Sequence, residues 1–151
     1  MKLTQKETTL LKDLKASEEL CIEKYGTYAE RAEDPELKTL FETIRTEELS
    51  HLSTIESLMQ GTVPMMGGQQ QKQSGGKSAC CGDYTKTASE NDSYLCHDAL
   101  DTEKHVSSIY DTAIFEFTDA GARDALNHIQ KEEQQHGKQL YDYMNRHGLC
   151  A

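Results

Sequence analysis

Two glutamates and one histidine occur twice in this chain, at the same spacing each time. The two sets are Glu18, Glu48 and His51 in the first half, and Glu103, Glu133 and His136 in the second. Each set ends in Glu-x-x-His, which places a carboxylate and an imidazole on one helix face, one turn apart. Oxygen and nitrogen ligands without a thiolate suit iron or manganese. The six residues therefore predict a dinuclear metal site, and the same residues would carry its chemistry.

The repeat extends beyond these six positions. Identical residues separated by 85 positions include Leu10 and Leu95, Tyr25 and Tyr110, and Met59 and Met144. A repeated unit that cannot bury its own apolar face should pair with its copy. The sequence therefore predicts one all-α domain over residues 1–151, in which two helical hairpins, 4–60 and 92–148, form a four-helix bundle.

Local signals mark where the helices begin and end. A capping box at residues 4–7 starts the first helix, Asp34 followed by Pro35 starts the second, and Gly61 should end it. Apolar residues then recur every three or four positions within each segment. The predicted helices cover about 4–32, 34–60, 92–118 and 119–147.

The six candidate ligands interrupt the apolar stripes of these helices. A buried ionised carboxylate is tolerated only when it is paired, protonated or bound to metal. Either Glu-x-x-His motif alone fits a solvated helix face, but two motifs in phase with the stripes favour the metal site. The neighbouring Glu47 and Glu132 lie off the stripes. They are interpreted either as solvated residues or as outer partners, which contact the ligands without binding metal themselves. Tyr25 and Tyr110 are interpreted first as core residues, with hydrogen bonds to ligand carboxylates as the alternative.

Residues 61–91 lack helical periodicity and are rich in Gly, Gln and Ser, which is typical of a flexible linker. Its length allows a crossover between parallel helices. The linker contains the adjacent Cys80 and Cys81, whose role is left open between reactivity, cross-linking and chance. Cys21 and Cys96 fall on apolar faces and are predicted to pack in the core. The chain has no Cys-x-x-Cys, which excludes a rubredoxin-type iron site or zinc ribbon within it.

The composition of the chain argues against some classes of binding partner. The net charge of −10 and a pI near 5.0 argue against binding to nucleic acid or to an anionic membrane, and remain compatible with metal cations. The first residues lack the apolar stretch of a secretory signal, and no apolar run reaches membrane-spanning length. A cytoplasmic location is therefore expected, and a homodimer is compatible with the sequence.

The segment from Glu18 to Ala29, together with Glu48-Leu-Ser-His51 and the corresponding second half, resembles the ferritin-like superfamily. The resemblance covers residues 4–60 and 92–148. It is nearest to the bundle domain of rubrerythrins, and the chain is also similar to ferritin-like spore coat proteins.

The resemblance implies a ferritin-like bundle with a long crossover between its second and third helices. It also implies a centre of two iron ions that reacts with peroxide or dioxygen, with manganese as the other candidate metal. The rubredoxin domain of typical rubrerythrins is absent, so an external electron donor is expected. Val106 stands where an additional glutamate ligand is expected. The alternative is a structural, spore-coat-like protein cross-linked through Cys80 and Cys81, and iron storage ranks third.

Overall fold

The computed structural model describes residues 1–65 and 88–149. Within these ranges the chain forms four α-helices and no strands, which confirms the predicted all-α architecture. The helices are α1 (Gln5–Arg31), α2 (Pro35–Met59), α3 (Glu90–Glu116) and α4 (Ala120–Arg146).

The helix starts follow the capping residues of the sequence. The Thr4 hydroxyl accepts a hydrogen bond from the Glu7 amide at 3.2 Å, and the Glu7 carboxylate accepts one from the Thr4 amide at 2.8 Å. This is the predicted capping box. Helix α3 begins two residues earlier than predicted, because the Ser89 hydroxyl caps it by accepting from the Asp92 amide at 3.1 Å.

Gly61 follows the end of α2 in the left-handed conformation, with a φ of 78°. A Cβ atom there would lie 2.5 Å from the carbonyl oxygen of Met1, so a side chain would also be excluded by contact. The N-terminal amino group of Met1 donates to the Gly61 carbonyl at 2.8 Å. Glycine is therefore required at this predicted helix end by conformation and by space.

The hairpins α1–α2 and α3–α4 pack against each other mainly through α1 on α3 and α2 on α4. The start of α3 lies beside the start of α2, because the Asp92 carboxylate accepts from the amides of Glu33 and Asp34 at 2.8 and 2.9 Å. Helices α2 and α3 therefore run parallel, which confirms the predicted crossover. Residues 66–87, with most of the predicted linker and Cys80 and Cys81, lie outside the described residues.

The core is a continuous set of apolar side chains from all four helices, and Cys21 and Cys96 are buried in it as predicted. Considering the residues that the structure describes, no helix combines the length and apolar composition needed to span a membrane.

The sequence repeat appears in space as reciprocal contacts. Asp92 accepts from the Glu33 amide, and Glu7, which lies 85 residues before Asp92, accepts from the Thr118 amide at 3.2 Å. Each buried carboxylate thus begins one hairpin and satisfies an amide in the turn of the other. This pair of contacts could not be predicted from local sequence, because each acceptor and its donor belong to different hairpins.

Candidate metal centre

The six residues predicted from the repeat meet in the interior, near the middle of the four helices. Each replaces an apolar residue on a core-facing stripe, and none is more than 3% exposed. Their placement follows from helical periodicity, because the stripe that contains them is the face that each helix buries.

The side chains form two overlapping groups whose ligand atoms lie within 4.8 Å of one another. The first group is Glu18, Glu48, His51 and Glu133, and the second is Glu48, Glu103, Glu133 and His136. Glu48 and Glu133 belong to both groups. These groups could hold two cations at adjacent positions that share two carboxylates.

Both histidines turn the same ring nitrogen toward the shared carboxylates. His51 Nδ1 lies 3.1 Å from Glu48 and 3.2 Å from Glu133. His136 Nδ1 lies 3.3 Å from Glu48 and 3.4 Å from Glu133. The two rings are nearly parallel, with their centroids 5.6 Å apart. The Nδ1 atoms therefore face the centre from opposite helices.

The other ring nitrogens face outward to the two glutamates that the sequence left as solvated or outer partners. Nε2 of His51 lies 2.8 Å from a carboxylate oxygen of Glu132, and Nε2 of His136 lies 2.5 Å from one of Glu47. Both contacts cross between α2 and α4. Glu132 and Glu47 are therefore hydrogen-bond partners of the two candidate histidines.

The two repeated tyrosines are buried in the core and also contact the site. The Tyr25 hydroxyl donates to the Glu103 carboxylate, and the Tyr110 hydroxyl donates to the Glu18 carboxylate. These contacts cross between α1 and α3. The tyrosine rings therefore pack in the core, and their hydroxyls contact carboxylates of the opposite hairpin.

The four carboxyl groups differ in their pKa values. Burial raises the pKa of Glu18 and of Glu103 to about 8. Burial also acts to raise the pKa of Glu48 and Glu133, but the adjacent imidazoles of His51 and His136 outweigh it and hold the pKa of both carboxyls below the usual value. At neutral pH one pair is therefore protonated and the other ionised.

Both histidines are held in the protonated form. Burial acts to lower the pKa of His51 and His136, but hydrogen bonds to the surrounding carboxylates raise both well above the usual value. The site then contains two neutral carboxyls, two carboxylates and two imidazolium ions. Their charges cancel, which explains how six ionisable groups can share one core.

Several buried atoms of the site form no hydrogen bond with the described residues, although His136 Nδ1 lies 3.3 Å from Glu48 and 3.4 Å from Glu133. These atoms are Glu18 Oε2, Glu48 Oε1, Glu103 Oε2, both carboxylate oxygens of Glu133 and His136 Nδ1. Leaving buried polar atoms unpaired is costly unless a ligand satisfies them. The atoms are of the type that iron or manganese binds, so the residues fit a dinuclear metal centre.

The positions one turn beyond Glu18 and Glu103 add no carboxylate. They hold Cys21 and Val106, and both side chains are buried. Burial, and then the nearby carboxylates, raise the pKa of the Cys21 thiol far above its usual value, so the sulfur stays protonated. The position where the resemblance implied another glutamate is therefore apolar.

Four further histidines, His97, His105, His128 and His147, have no counterpart in the 85-residue repeat, so the sequence predicts surface positions for them. His97, His105 and His128 are exposed, as predicted. The prediction was wrong for His147, which is half-buried and stacks on Tyr143 with ring centroids 4.2 Å apart. Its Nε2 also lies 3.5 Å from Glu36 at the start of α2. The partner comes from the opposite hairpin, so local periodicity could not reveal it.

The second hairpin is similar to one known protein family. Residues 91–150 match the model of the Coat F domain, which covers less than half of the chain. A search of curated protein sequences found no match.

Among solved structures, the chain is similar to a two-domain protein from Anabaena variabilis that contains DJ-1/ThiJ/PfpI-like and ferritin-like domains. The TM-score is 0.71 with 18% sequence identity, over 96% of this chain and 37% of that one. This chain thus spans little more than a third of that protein's length. At this identity the likeness shows the fold alone, and the fold is a ferritin-like four-helix bundle.

Proposed function

We propose that this ferritin-like chain binds two redox-active divalent ions, with iron as the leading candidate and manganese as the alternative, and that the loaded protein reduces peroxide or dioxygen. The observation that carries the proposal is the set of buried oxygen and nitrogen atoms that face one another without hydrogen-bond partners among the described residues. Two groups of four residues, sharing two carboxylates, supply ligands for two ions.

Each residue has a proposed role that follows from its place in the two groups. Glu48 and Glu133 would help to hold both ions, because they belong to both groups. Glu18 and His51 would complete one position. Glu103 and His136 would complete the other. Four carboxylates would then balance the charge of two divalent cations.

The protein itself would position the ligand carboxylates and exclude water from the site. Tyr25 and Tyr110 hold one oxygen of Glu103 and Glu18, which leaves the second oxygen of each directed at the site. Burial keeps solvent from competing for the ligands. Bound ferrous ions would supply electrons to peroxide or dioxygen. We assign their re-reduction to an electron donor outside the bundle.

The test is to load the protein with ferrous iron without oxygen and to mix it rapidly with peroxide or with dioxygen. We expect about two irons per chain and faster oxidation by at least one of the oxidants than for free ferrous iron. Glu48→Ala and Glu133→Ala should lose most of the bound iron. Glu42→Ala, an exposed residue on the same helix as Glu48, should lose none. Equal iron losses in all three variants would place the site elsewhere.

A second function is favoured by the Coat F match over residues 91–150. In this alternative the chain is a structural component of a spore coat, and metal only stabilises the bundle. Cys80 and Cys81 would then form cross-links between copies or with other components. The two functions also differ in location, since the oxidoreductase is expected in the cytoplasm.

Turnover and assembly separate the two functions. Replacing residues 67–82 by a Gly/Ser segment of equal length should leave iron binding and oxidation unchanged if the bundle alone carries the chemistry. Cys80→Ser together with Cys81→Ser should abolish oxidative cross-linking if the structural role is correct. A protein that binds two irons but oxidises them no faster than free iron would favour the structural role.

A further inference from the structure

We propose that two copies of this chain associate through the tip of the second hairpin, with Phe115 of each copy inserted into a cavity of the other. The inference is independent of the proposed metal centre and of Cys80 and Cys81. The surface lies on the last turn of α3 and the first two turns of α4. We call it the hairpin-tip surface, and its residues are Ile114, Phe115, Ala120, Arg123, Asp124 and Asn127.

Phe115 is the most exposed aromatic side chain among the described residues. It is 83% exposed, compared with 67% for Tyr94 and 51% for Tyr141. Unlike a tyrosine, it has no hydroxyl that water could hydrogen-bond. Removing its ring from water against a second surface would therefore be favourable.

The 85-residue repeat shows that the fold does not require an aromatic residue at this position. The position that corresponds to Phe115 in the first hairpin holds Glu30, which is also exposed. The exposed residues that correspond to Arg123, Asp124 and Asn127 are Lys38, Thr39 and Glu42. The first hairpin thus has a polar surface at the same place, and the exposed phenyl ring is a property of the second hairpin alone.

A cavity lies beside the ring and can hold a second one. Its volume is about 310 Å³, and its lining includes the apolar Ile114, Phe115 and Ala120. An apolar cavity of about 150 Å³ is large enough to hold benzene. The same surface therefore carries a projecting ring and a space that accommodates one, so it can pair with a copy of itself about a two-fold axis.

The charges that line the cavity favour a second copy as the occupant. Arg123 and Asp124 are adjacent, exposed and opposite in charge. Neither side chain forms an ion pair within the part of the chain that the structure describes. In a two-fold interface Arg123 of one copy can face Asp124 of the other, and the same contact then occurs twice. A partner of uniform charge would match only one of the two residues.

Sedimentation velocity of the full chain, over concentrations up to about 1 mM, tests the proposal. A chelator prevents metal from linking copies, and a reductant prevents disulfides through Cys80 and Cys81. Because the surface is small, we expect a weak and reversible dimer. Phe115→Glu introduces the residue type found at the corresponding position of the first hairpin, and should raise the dissociation constant at least about 10-fold. Tyr94→Glu, at an exposed aromatic residue on the same helix, should leave it unchanged.

Charge reversal tests the two-fold pairing of Arg123 with Asp124. Arg123→Asp and Asp124→Arg each place like charges opposite one another in a dimer, so each variant alone should associate at least about 10-fold more weakly. Mixing the two variants restores an opposite charge at both contacts, and a heterodimer should form. Circular dichroism checks that each variant is folded.

Three results would overturn the proposal. The first is a chain that remains monomeric up to about 1 mM, which would leave the surface to a different partner. The second is a dimer that is equally stable in folded Phe115→Glu, or that Tyr94→Glu weakens to the same extent. The third is a mixture of Arg123→Asp and Asp124→Arg that associates no better than either variant alone. None of these results would affect the proposed metal centre.

Discussion

Metal binding should release protons, and the number follows from the ionisation of the buried site. Glu18 and Glu103 have pKa values of about 8, so both are mostly protonated at pH 7. His51 and His136 are protonated too, because their pKa values lie well above the usual one. All four groups must lose a proton to bind metal, so about four protons should leave per two ions.

The affinity of the site for metal should increase with pH. These groups have raised pKa values and hold their protons at low pH. Metal ions compete with those protons for the ligand atoms, so metal affinity should increase as the pH rises. With about four protons released, the product of the two association constants should rise about 10⁴-fold per pH unit between pH 6 and 7. Above the carboxyl pKa of about 8, Glu18 and Glu103 are already ionised, so the number of protons released on metal binding should fall.

Isothermal titration calorimetry with zinc measures this number directly. The titration is repeated in several buffers that differ in ionisation enthalpy. The observed binding enthalpy is plotted against the ionisation enthalpy of the buffer, and the slope gives the number of protons released. Glu18→Gln should release about one proton fewer than the unmodified protein. The exposed control Glu42→Gln should release the same number. A release below about two protons at pH 7 would show that the carboxyls are not held in protonated form, and would refute the charge assignment.

Three further predictions concern stability and are measured by urea or thermal unfolding. Tyr25→Phe leaves a buried oxygen of Glu103 without its donor and should destabilise the metal-free protein by about 1–3 kcal/mol, whereas the exposed Tyr94→Phe should have little effect. Asp92→Ala leaves two backbone amides without their acceptor and should cost about 2 kcal/mol or more; an unchanged unfolding midpoint would contradict the capping role. Zinc at 100 times its dissociation constant should stabilise the bundle by about 2.7 kcal/mol for each ion bound, and this gain should disappear in Glu133→Ala.

The candidate ligands were predictable because their signal is local and repeated. Glu48 and His51 lie one turn apart on a stripe that must be buried, and the same pattern recurs 85 residues later. The capping box at Thr4 and the glycine at position 61 were predictable for a similar reason, since backbone amides and carbonyls at helix ends need partners within a few residues.

The roles of Glu47 and of Asp92 could not be predicted in the same way. Glu47 lies off the apolar stripe, and its partner His136 is 89 residues away. Asp92 lies on a buried face, but the amides it accepts from belong to the turn of the other hairpin. Both contacts depend on which helices become neighbours, and helical periodicity does not specify this.

The sequence by itself determined which residues each helix buries, and therefore which six side chains meet in the core. The tertiary structure decided what surrounds them. Because α1 packs on α3 and α2 on α4, the tyrosines meet carboxylates and the outer glutamates meet histidines of the opposite hairpin. Burial at that junction then sets which carboxyls are protonated. The pKa of a buried group depends on its distance to other charges in space, and only the packed bundle brings those charges together.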